Sequence, residues 1–369
     1  MPKMKCMLMV GTRPELIRLS EIIKKLDLYT NHVFVHTNQS YDYELNQIFF
    51  DELKIRKPDY VLDVKADTVG EQIGKILTQC EQVMLKEKPD AVLILGDTNS
   101  ALSCIIAKRL KIIVFHMEAG NRCFDENVPE EINRRIVDHT SDINLCYTEH
   151  ARRNLLMEGL ASQDIFVVGS PLLEVYSRHT DKIEGSKILE DLQLESGRYF
   201  LASIHREENV DNEKNLCLII KALRSLGEEY KLPVIFSTHP HTKRHLEGID
   251  CGRIRLHKPF GMIDYLKLQL GAFCNLSDSG TGHEDAAILD IPMVIVRDSN
   301  ERPEVYDTGS VVMSGVDMPT IMDAVGLVRG QIDAGVKFDN PYGVEINCSD
   351  KVVRLIVGLH KIMRKRKYQ

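Results

Sequence analysis

The stretch "TVGEQIGKILTQCEQVMLKEKPDAVLILGDTNS", residues 68–100, decides the fold. Val69, Ile73, Ile76, Cys80, Val83 and Met84 recur at helical spacing and fall on one face. Thr68 and Glu71 stand at capping-box spacing ahead of that face and mark the start of a helix over 69–87. "AVLILG" (91–96) is then apolar at consecutive positions, which is how a strand covered on both faces reads. A helix feeding a doubly buried strand, which gives out into the polar "GDTNS", is the repeat unit of a parallel sheet with helices on both sides.

The same unit recurs on either side. "MKCMLMV" (4–10), "HVFVH" (32–36), "IIVFHM" (112–117), "DINLCY" (142–147) and "DIFVVG" (164–169) read as further strands of one sheet. The pattern pauses at about 172–196, which is charged and carries no strand signal. It resumes with "YFLASIH" (199–205), "LPVIFSTH" (232–239), "IRLHKP" (254–259), "GAFCNLSDSG" (271–280) and "IPMVIVRD" (291–298). The expected architecture is therefore two doubly wound, Rossmann-like α/β domains, 1–173 and 174–352, with a cleft between them. A last helix over about 349–367 could join either domain.

Composition bounds the rest. At 369 residues, with 43% hydrophobic and 27% charged residues, the chain is ordinary globular material for about two domains. A net charge of −7 leaves no global basic surface, so no nucleic-acid partner is expected. Nine cysteines are scattered singly, without a C-x-x-C pair, which argues against a zinc ribbon or disulfide framework and fits a reducing cytoplasm. No run approaches the roughly 18–20 apolar residues of a membrane span, so a membrane partner is not expected either.

In doubly wound sheets ligands bind at the carboxyl ends of the strands. In the first domain those ends are "GTRPE" (11–15), "GDTNS" (96–100) and "HMEAGNRCFDENVPEEINRR" (116–135). The last packs five carboxylates and four basic residues into twenty positions. In the second domain they are "SIHREEN" (203–209), "STHPHT" (237–242, with His239) and "SDSGTGHED" (277–285).

"GTRPELIR" follows a strand and opens a helix. Gly11 permits close backbone approach, Thr12 and Glu15 are spaced for a capping box, and Arg13 adds a fork suited to phosphate oxygens. Arg18 lies a little over one turn on. "SDSGTGHED" is the counterpart, in which Ser279, Gly280 and Thr281 offer hydroxyls and amides to a diphosphate. Glu284 suits the paired hydroxyls of a ribose. Neither the G-x-x-x-x-G-K-[ST] loop nor G-x-G-x-x-G is present, so ATP hydrolysis and nicotinamide redox lose ground to a nucleotide diphosphate sugar.

The sugar would meet Asp97, Glu118 and Glu130, with His205 approaching from the other domain. Carboxylates crowded away from water have raised pKa values, so one can hold a proton while its neighbour does not. That suits removal of a proton from one face of a carbon and its return to the other. Taken singly, a glutamate after a strand is more often a cap or a surface ion pair, and a histidine a satisfied structural residue. Asp97, His116, Glu118 and His139 could ligate a metal, but no H-E-x-x-H or D-x-D spacing supports it, and no metal is expected.

In order, "GTRPE", "GDTNS", "MEAGNR", "VPEEINRR", "HREEN", "SDSG" and "RDSNERPE" resemble the non-hydrolysing UDP-N-acetylglucosamine 2-epimerases, from residue 4 to about 345. The resemblance implies a glycosyltransferase-B-like architecture, a homodimer, no cofactor, and a C-terminal helix (353–369) packed back on the first domain. It also implies a reaction in which UDP leaves as the C2 proton is taken, giving a 2-acetamidoglycal, and both return with C2 inverted. On that pattern Asp97, Glu118 and Glu130 are three candidates for the acid and base. His205 stands near the leaving UDP, Arg13 at the diphosphate, and Ser279, Gly280 and Glu284 in the UDP loop. Asn133 and Arg134 become orienting partners, and Arg302 and Glu304 belong to a closing segment.

Three departures stand out. "SGTGHED" replaces the family's S-G-G-x-Q-E-E, putting Thr281 and His283 where glycine and glutamine are usual. "TNQSYDYELN" (37–46) replaces a T-G-Q-H-R-E segment tied to activation by a second substrate molecule, and Arg18 replaces a lysine. "YDYELNQIFF" and "SDSGT" resemble a branch acting on 6-deoxy sugars, UDP-2-acetamido-2,6-dideoxy-L-talose to UDP-N-acetyl-L-fucosamine, for capsule or O-antigen. That pair and UDP-N-acetylglucosamine stand as competing substrates. The other readings are a glycosyltransferase of the same architecture and a UDP-sugar sensor without catalysis. "GTRPE" argues against a hydrolysing epimerase, and intact acid and base candidates argue against a sensor.

Overall fold

A computed structural model describes residues 3–39, 50, 52–126 and 128–369. The chain divides into two compact units, Met1–Arg178 with Gly343–Gln369, and His179–Tyr342.

The first unit is built on a seven-stranded sheet of order β3-β2-β1-β4-β5-β6-β7. Its strands are β1 (Lys5–Val10), β2 (Asn31–His36), β3 (Tyr60–Val61), β4 (Ala91–Leu95), β5 (Ile113–Met117), β6 (Ile143–Cys146) and β7 (Ile165–Val167). Every neighbouring pair runs parallel. The chain winds outward one way from β1 to β3 and then the other way from β4 to β7, so the direction switches between β1 and β4. The second unit repeats the plan in six parallel strands, β10-β9-β8-β11-β12-β13, with its switch between β8 and β11. They are β8 (Phe200–Ser203), β9 (Val234–Ser237), β10 (Arg255–His257), β11 (Cys274–Ser277), β12 (Met293–Ile295) and β13 (Val312–Met313). All the strands read from apolar runs are present. The two-residue edge strands β3 and β13 are additional: they sit in apolar triplets, 60–62 and 311–313, too short to be read as strands from the sequence.

Burial explains why consecutive apolar positions make strands here. Met7, Met9, Val33, Val35, Val92, Ile94 and Val114 face one side and pack with Ile76, Cys80, Val83 and Met84 of the helix Val69–Glu87. The alternate positions Leu8, Phe34, Leu93 and Phe115 are equally inaccessible. Val69 departs from expectation: it is 66% exposed, in a first helical turn whose residues 69–71 are all exposed. Thr68 does cap that helix, accepting from Glu71 N at 3.2 Å. In the second unit Phe200, Ala202, Phe236 and Leu276 pack with Leu216, Ile219, Ile220 and Leu223 of the helix Glu213–Glu229.

The helix Cys348–Tyr368 lies in the first unit. Buried Glu174 caps its first turn, accepting from Ser349 N (2.8 Å) and Ser349 Oγ (2.7 Å), where the aligned peptide dipoles favour a negative group. Lys25 Nζ adds a 2.8 Å ion pair to Asp350. None of the nine cysteines is joined in a disulfide, and six are buried. Among the described residues no helix is long and apolar enough to cross a membrane.

Candidate active site

At the switch point of the first unit, the loop after β1 meets the loop after β4. A Cβ on Gly11 would stand 2.1 Å from Ser100 Oγ, so only glycine lets the two loops close together. The close backbone approach that Gly11 permits is thus used within the protein. Glu15 accepts from Gly11 N (2.5 Å), Thr12 N (2.8 Å) and Thr98 Oγ1 (2.8 Å), joining the start of the helix Arg13–Tyr29 to the β4 loop. Burial pushes its carboxyl up to about 7, against the pull of those three donors. Arg13 opens the helix and is half-buried.

β4 and β5 pair with Leu95 opposite Met117, which sets Asp97 and Glu118 just beyond adjacent strand ends. Asp97 accepts from Arg134 Nε at 2.7 Å, and its backbone carbonyl from Asn133 Nδ2 at 2.9 Å. Both partners lie on the helix Pro129–Thr140. Arg134 also reaches Glu131 at 3.1 Å. Buried Glu131 pays for its desolvation with the Cys123 amide and thiol and with Arg134, which together hold it below the ordinary carboxylate range. Its neighbour Glu130, one position round the helix, is half-buried and makes no ion pair among the described residues.

Glu118 has φ of +63°, a left-handed conformation that costs a non-glycine residue about 1–3 kcal/mol. Its carboxylate lies 3.6 Å from Arg18 Nη1 and 3.4 Å from Asn121 Nδ2. Arg18 is only 5% exposed and braces the Glu118 carboxylate. The strained turn is clamped from below by Asp138, which accepts from His116 Nδ1 (2.8 Å), Arg122 Nη1 (2.7 Å) and Gly120 N (3.2 Å). His116 Nε2 meets Gly96 O at 2.8 Å, next to Asp97. Both nitrogens of His116 are therefore engaged, while His139 pairs with Glu158 at 2.9 Å. The two histidines of the possible metal set are drawn to different carboxylates.

The second unit's switch point is organised by Asp278, fully buried after β11. It accepts from His205 N (3.0 Å), Arg206 N (3.0 Å) and Asn209 Nδ2 (3.1 Å), fastening the β8 loop to the β11 loop. His205 Nδ1 lies 3.3 Å from the same carboxylate, and the ring is 42% exposed. Ser279 caps the helix Gly280–Leu289 and accepts from Thr281 N at 3.2 Å. A Cβ on Gly280 would stand 2.6 Å from Glu301 Oε1. Glu284 and Arg302 are both buried and pair at 2.9 Å, and Arg302 Nε donates to Gly280 O at 3.2 Å. His283, in place of the usual glutamine, is held near 4 by burial and stays neutral. His239 caps the helix Pro240–His245, its Nδ1 accepting from His241 N at 3.3 Å. Glu304 is buried, which raises its carboxyl. Of the departing segment 37–46, residues 40–46 lie outside the described residues. Gln39 is described, and accepts from Ser100 N at 3.0 Å and Ser100 Oγ at 2.8 Å.

The structure thus joins Asp97 with Asn133 and Arg134, Glu118 with Arg18, and Glu284 with Arg302 and Gly280. Sequence reading missed Asp138, Arg122, Asp278, Arg297 and Glu301, all buried. Arg297 donates to Glu301 (3.0 Å) and Glu208 (3.1 Å) and holds the segment 297–304. The one signal for Asp278 is its place directly after an apolar strand and before a capping serine.

Parallel sheets of this order, with buried charge at both switch points, define a two-unit Rossmann-like α/β enzyme of the glycosyltransferase-B-like fold class. The family model "UDP-N-acetylglucosamine 2-epimerase" matches residues 24–357. A curated Methanocaldococcus jannaschii UDP-N-acetylglucosamine 2-epimerase is 38% identical over 367 residues, covering 96% of this chain and 99% of that protein. A solved M. jannaschii structure, in complex with UDP-GlcNAc and UDP, has a TM-score of 0.89 at 37% identity, covering 96% of this chain and 100% of the other. A Rickettsia bellii UDP-N-acetylglucosamine 2-epimerase structure has a TM-score of 0.89 at 44% identity, with 99% of each chain covered. The Pseudomonas aeruginosa UDP-2,3-diacetamido-2,3-dideoxy-D-glucuronate 2-epimerase is 33% identical over 338 residues, 89% of this chain and 93% of that one. The chain belongs to the non-hydrolysing UDP-N-acetylglucosamine 2-epimerase family, and it is an isomerase.

Proposed function

We propose that this chain inverts C2 of a UDP-2-acetamido-2-deoxyhexose by eliminating UDP and adding it back. The observation that carries the reading is the pair Asp97 and Glu118, side by side at the ends of β4 and β5, each against a buried arginine. No carbonyl activates C2–H, so C1–O cleavage leads, UDP departs with the bonding electrons, and oxocarbenium-like charge builds at C1. Carboxylates stabilise that charge. One carboxylate then takes the C2 proton to leave a 2-acetamidoglycal. A second acid returns a proton to the opposite face as a phosphate oxygen of UDP re-forms the C1–O bond. Asp97, Glu118 and Glu130 share these proton roles.

The first unit is assigned the sugar, with Arg13 toward the diphosphate, and the second unit the UDP. There the amides of Ser279, Gly280 and Thr281 at the start of the helix Gly280–Leu289 take diphosphate oxygens. Glu284 takes the ribose hydroxyls, with Arg302 beside it, and His239 flanks the nucleotide. His205, oriented through Nδ1 by Asp278, protonates or steadies the leaving UDP. The active species is taken to be a homodimer, by resemblance. The substrate is UDP-N-acetylglucosamine with its manno epimer. The 6-deoxy talo/fuco pair is the second reading, favoured by Thr281 and by the wording "YDYELNQIFF", and in either case the product feeds polysaccharide synthesis.

The test is proton NMR in heavy water with UDP-N-acetylglucosamine. Deuterium at C2, appearance of the manno epimer and little free UDP are expected. Exchange only with the 6-deoxy nucleotide would move the substrate to the second reading, and exchange with neither would sink the assignment.

A further inference from the structure

The second unit carries a cluster that the proposed epimerisation does not use. Asp211 ends the turn that follows the helix Glu207–Val210, on the β8 loop. His241 and His245 stand four residues apart on the helix Pro240–His245 after β9, which puts both rings on one helical face. His241 Nε2 lies 2.5 Å and His245 Nε2 3.3 Å from the same oxygen, Asp211 Oδ1. The two rings approach to 4.7 Å between centroids, edge to face. One ligand atom from each of the three residues falls within 4.8 Å of the others.

We propose that Asp211, His241 and His245 form a binding site for a divalent transition-metal ion, with Zn²⁺ the best match. Donors about 2.0–2.2 Å from a tetrahedral ion stand about 3.3 Å apart. The His245–Asp211 spacing is already 3.3 Å, and small side-chain rotations open the shorter His241–Asp211 contact. Two imidazoles and one carboxylate select Zn²⁺, Co²⁺ or Ni²⁺ over the hard cations Mg²⁺ and Ca²⁺, which take oxygen ligands. Three protein ligands leave a fourth position for water or an anionic ligand. All three side chains are partly exposed (34–45% for the side chains), so an ion reaches the site from solvent. Thr242 Oγ1 already donates to Ile204 O at 3.0 Å, tying the same helix to the end of β8. A bound ion adds a second clip between the β8 and β9 loops.

The test uses the full chain, freed of any polyhistidine tag, titrated with Co²⁺ and followed by visible absorption, with Zn²⁺ as competitor. One equivalent is expected to bind, with at least about tenfold weaker binding in His245→Gln and in Asp211→Asn. Zn²⁺ should raise the thermal midpoint of the parent chain and leave those of the two variants unmoved. Circular dichroism checks that both variants fold. Equal binding by the parent and both variants would overturn the proposal. So would a thiolate charge-transfer band, which would put the ion on cysteine instead.

Discussion

The two units share one sheet plan and differ in what the buried charge near the strand ends holds. In the first unit Asp138 is surrounded by a histidine and an arginine side chain as well as the Gly120 amide, and it clamps a turn that carries a strained glutamate. In the second, Asp278 is met mainly by backbone amides and the Asn209 amide, and it fixes a histidine beside a helix N-terminus. One edge presents carboxylates braced by arginines, suited to moving protons. The other presents amides and hydroxyls, suited to receiving an anion. A shared winding order therefore does not imply an identical task, and the proposed division of labour rests on the side chains just past each strand.

The largest effect that would sharpen this division is on turnover. Glu118→Gln keeps the size of the side chain and removes its basicity. We expect kcat to fall by about 10³-fold or more, within the range of lost general acid–base catalysis, while UDP affinity by calorimetry stays within about threefold. Unchanged turnover would break the assignment of proton chemistry to the first unit.

The next concerns the clamps. Asp138→Asn takes the charge from a carboxylate that desolvation works against and that His116 and Arg122 hold below the ordinary range. It leaves Arg122, whose side chain is wholly inaccessible, with Glu158 as its remaining carboxylate. We expect a loss of about 3–5 kcal/mol in urea unfolding, the usual cost of breaking a buried pair. Asp278→Asn should cost less, about 1–3 kcal/mol, because hydrogen bonds rather than a buried cation are lost. Equal losses would erase the contrast.

Why the strands and their polar ends were legible and the clamps were not follows from range. "AVLILG" announces β4 because burial on both faces acts on consecutive residues, and "GTRPE" announces a cap because its partners lie within one turn. Asp138 looks in sequence like one more polar residue on an amphipathic helix. Its meaning depends on Gly120 and Arg122, which reach it only after β5 and the helix Pro129–Thr140 have packed. Arg18 is legible only in part for the same reason: its position one turn into a helix suits phosphate, and only the fold reveals Glu118 beside it. Glu15 read as a local cap, and its bond to Thr98, 83 positions away, could not be seen.

The smallest expected effect uses pH to compare one buried titrating group from each unit. Glu15 has a folded value near 7 against an ordinary 4.5, so between these values the folded chain keeps a proton that the unfolded chain has released. Its contribution to stability is present below about 4.5 and is lost as pH rises through 7. His283 runs the other way. Its folded value near 4 lies below an ordinary 6.5, so its contribution is present above 6.5 and is lost as pH falls toward 4. Each shift corresponds to roughly 3 kcal/mol across its window, and where the windows overlap the two oppose each other. Glu15→Gln should therefore gain stability relative to the parent between pH 5 and 7.5, and His283→Gln should lose it over the same interval, both read from urea midpoints. Two variants with the same slope would mean that burial at one switch point does not act on charge as it does at the other.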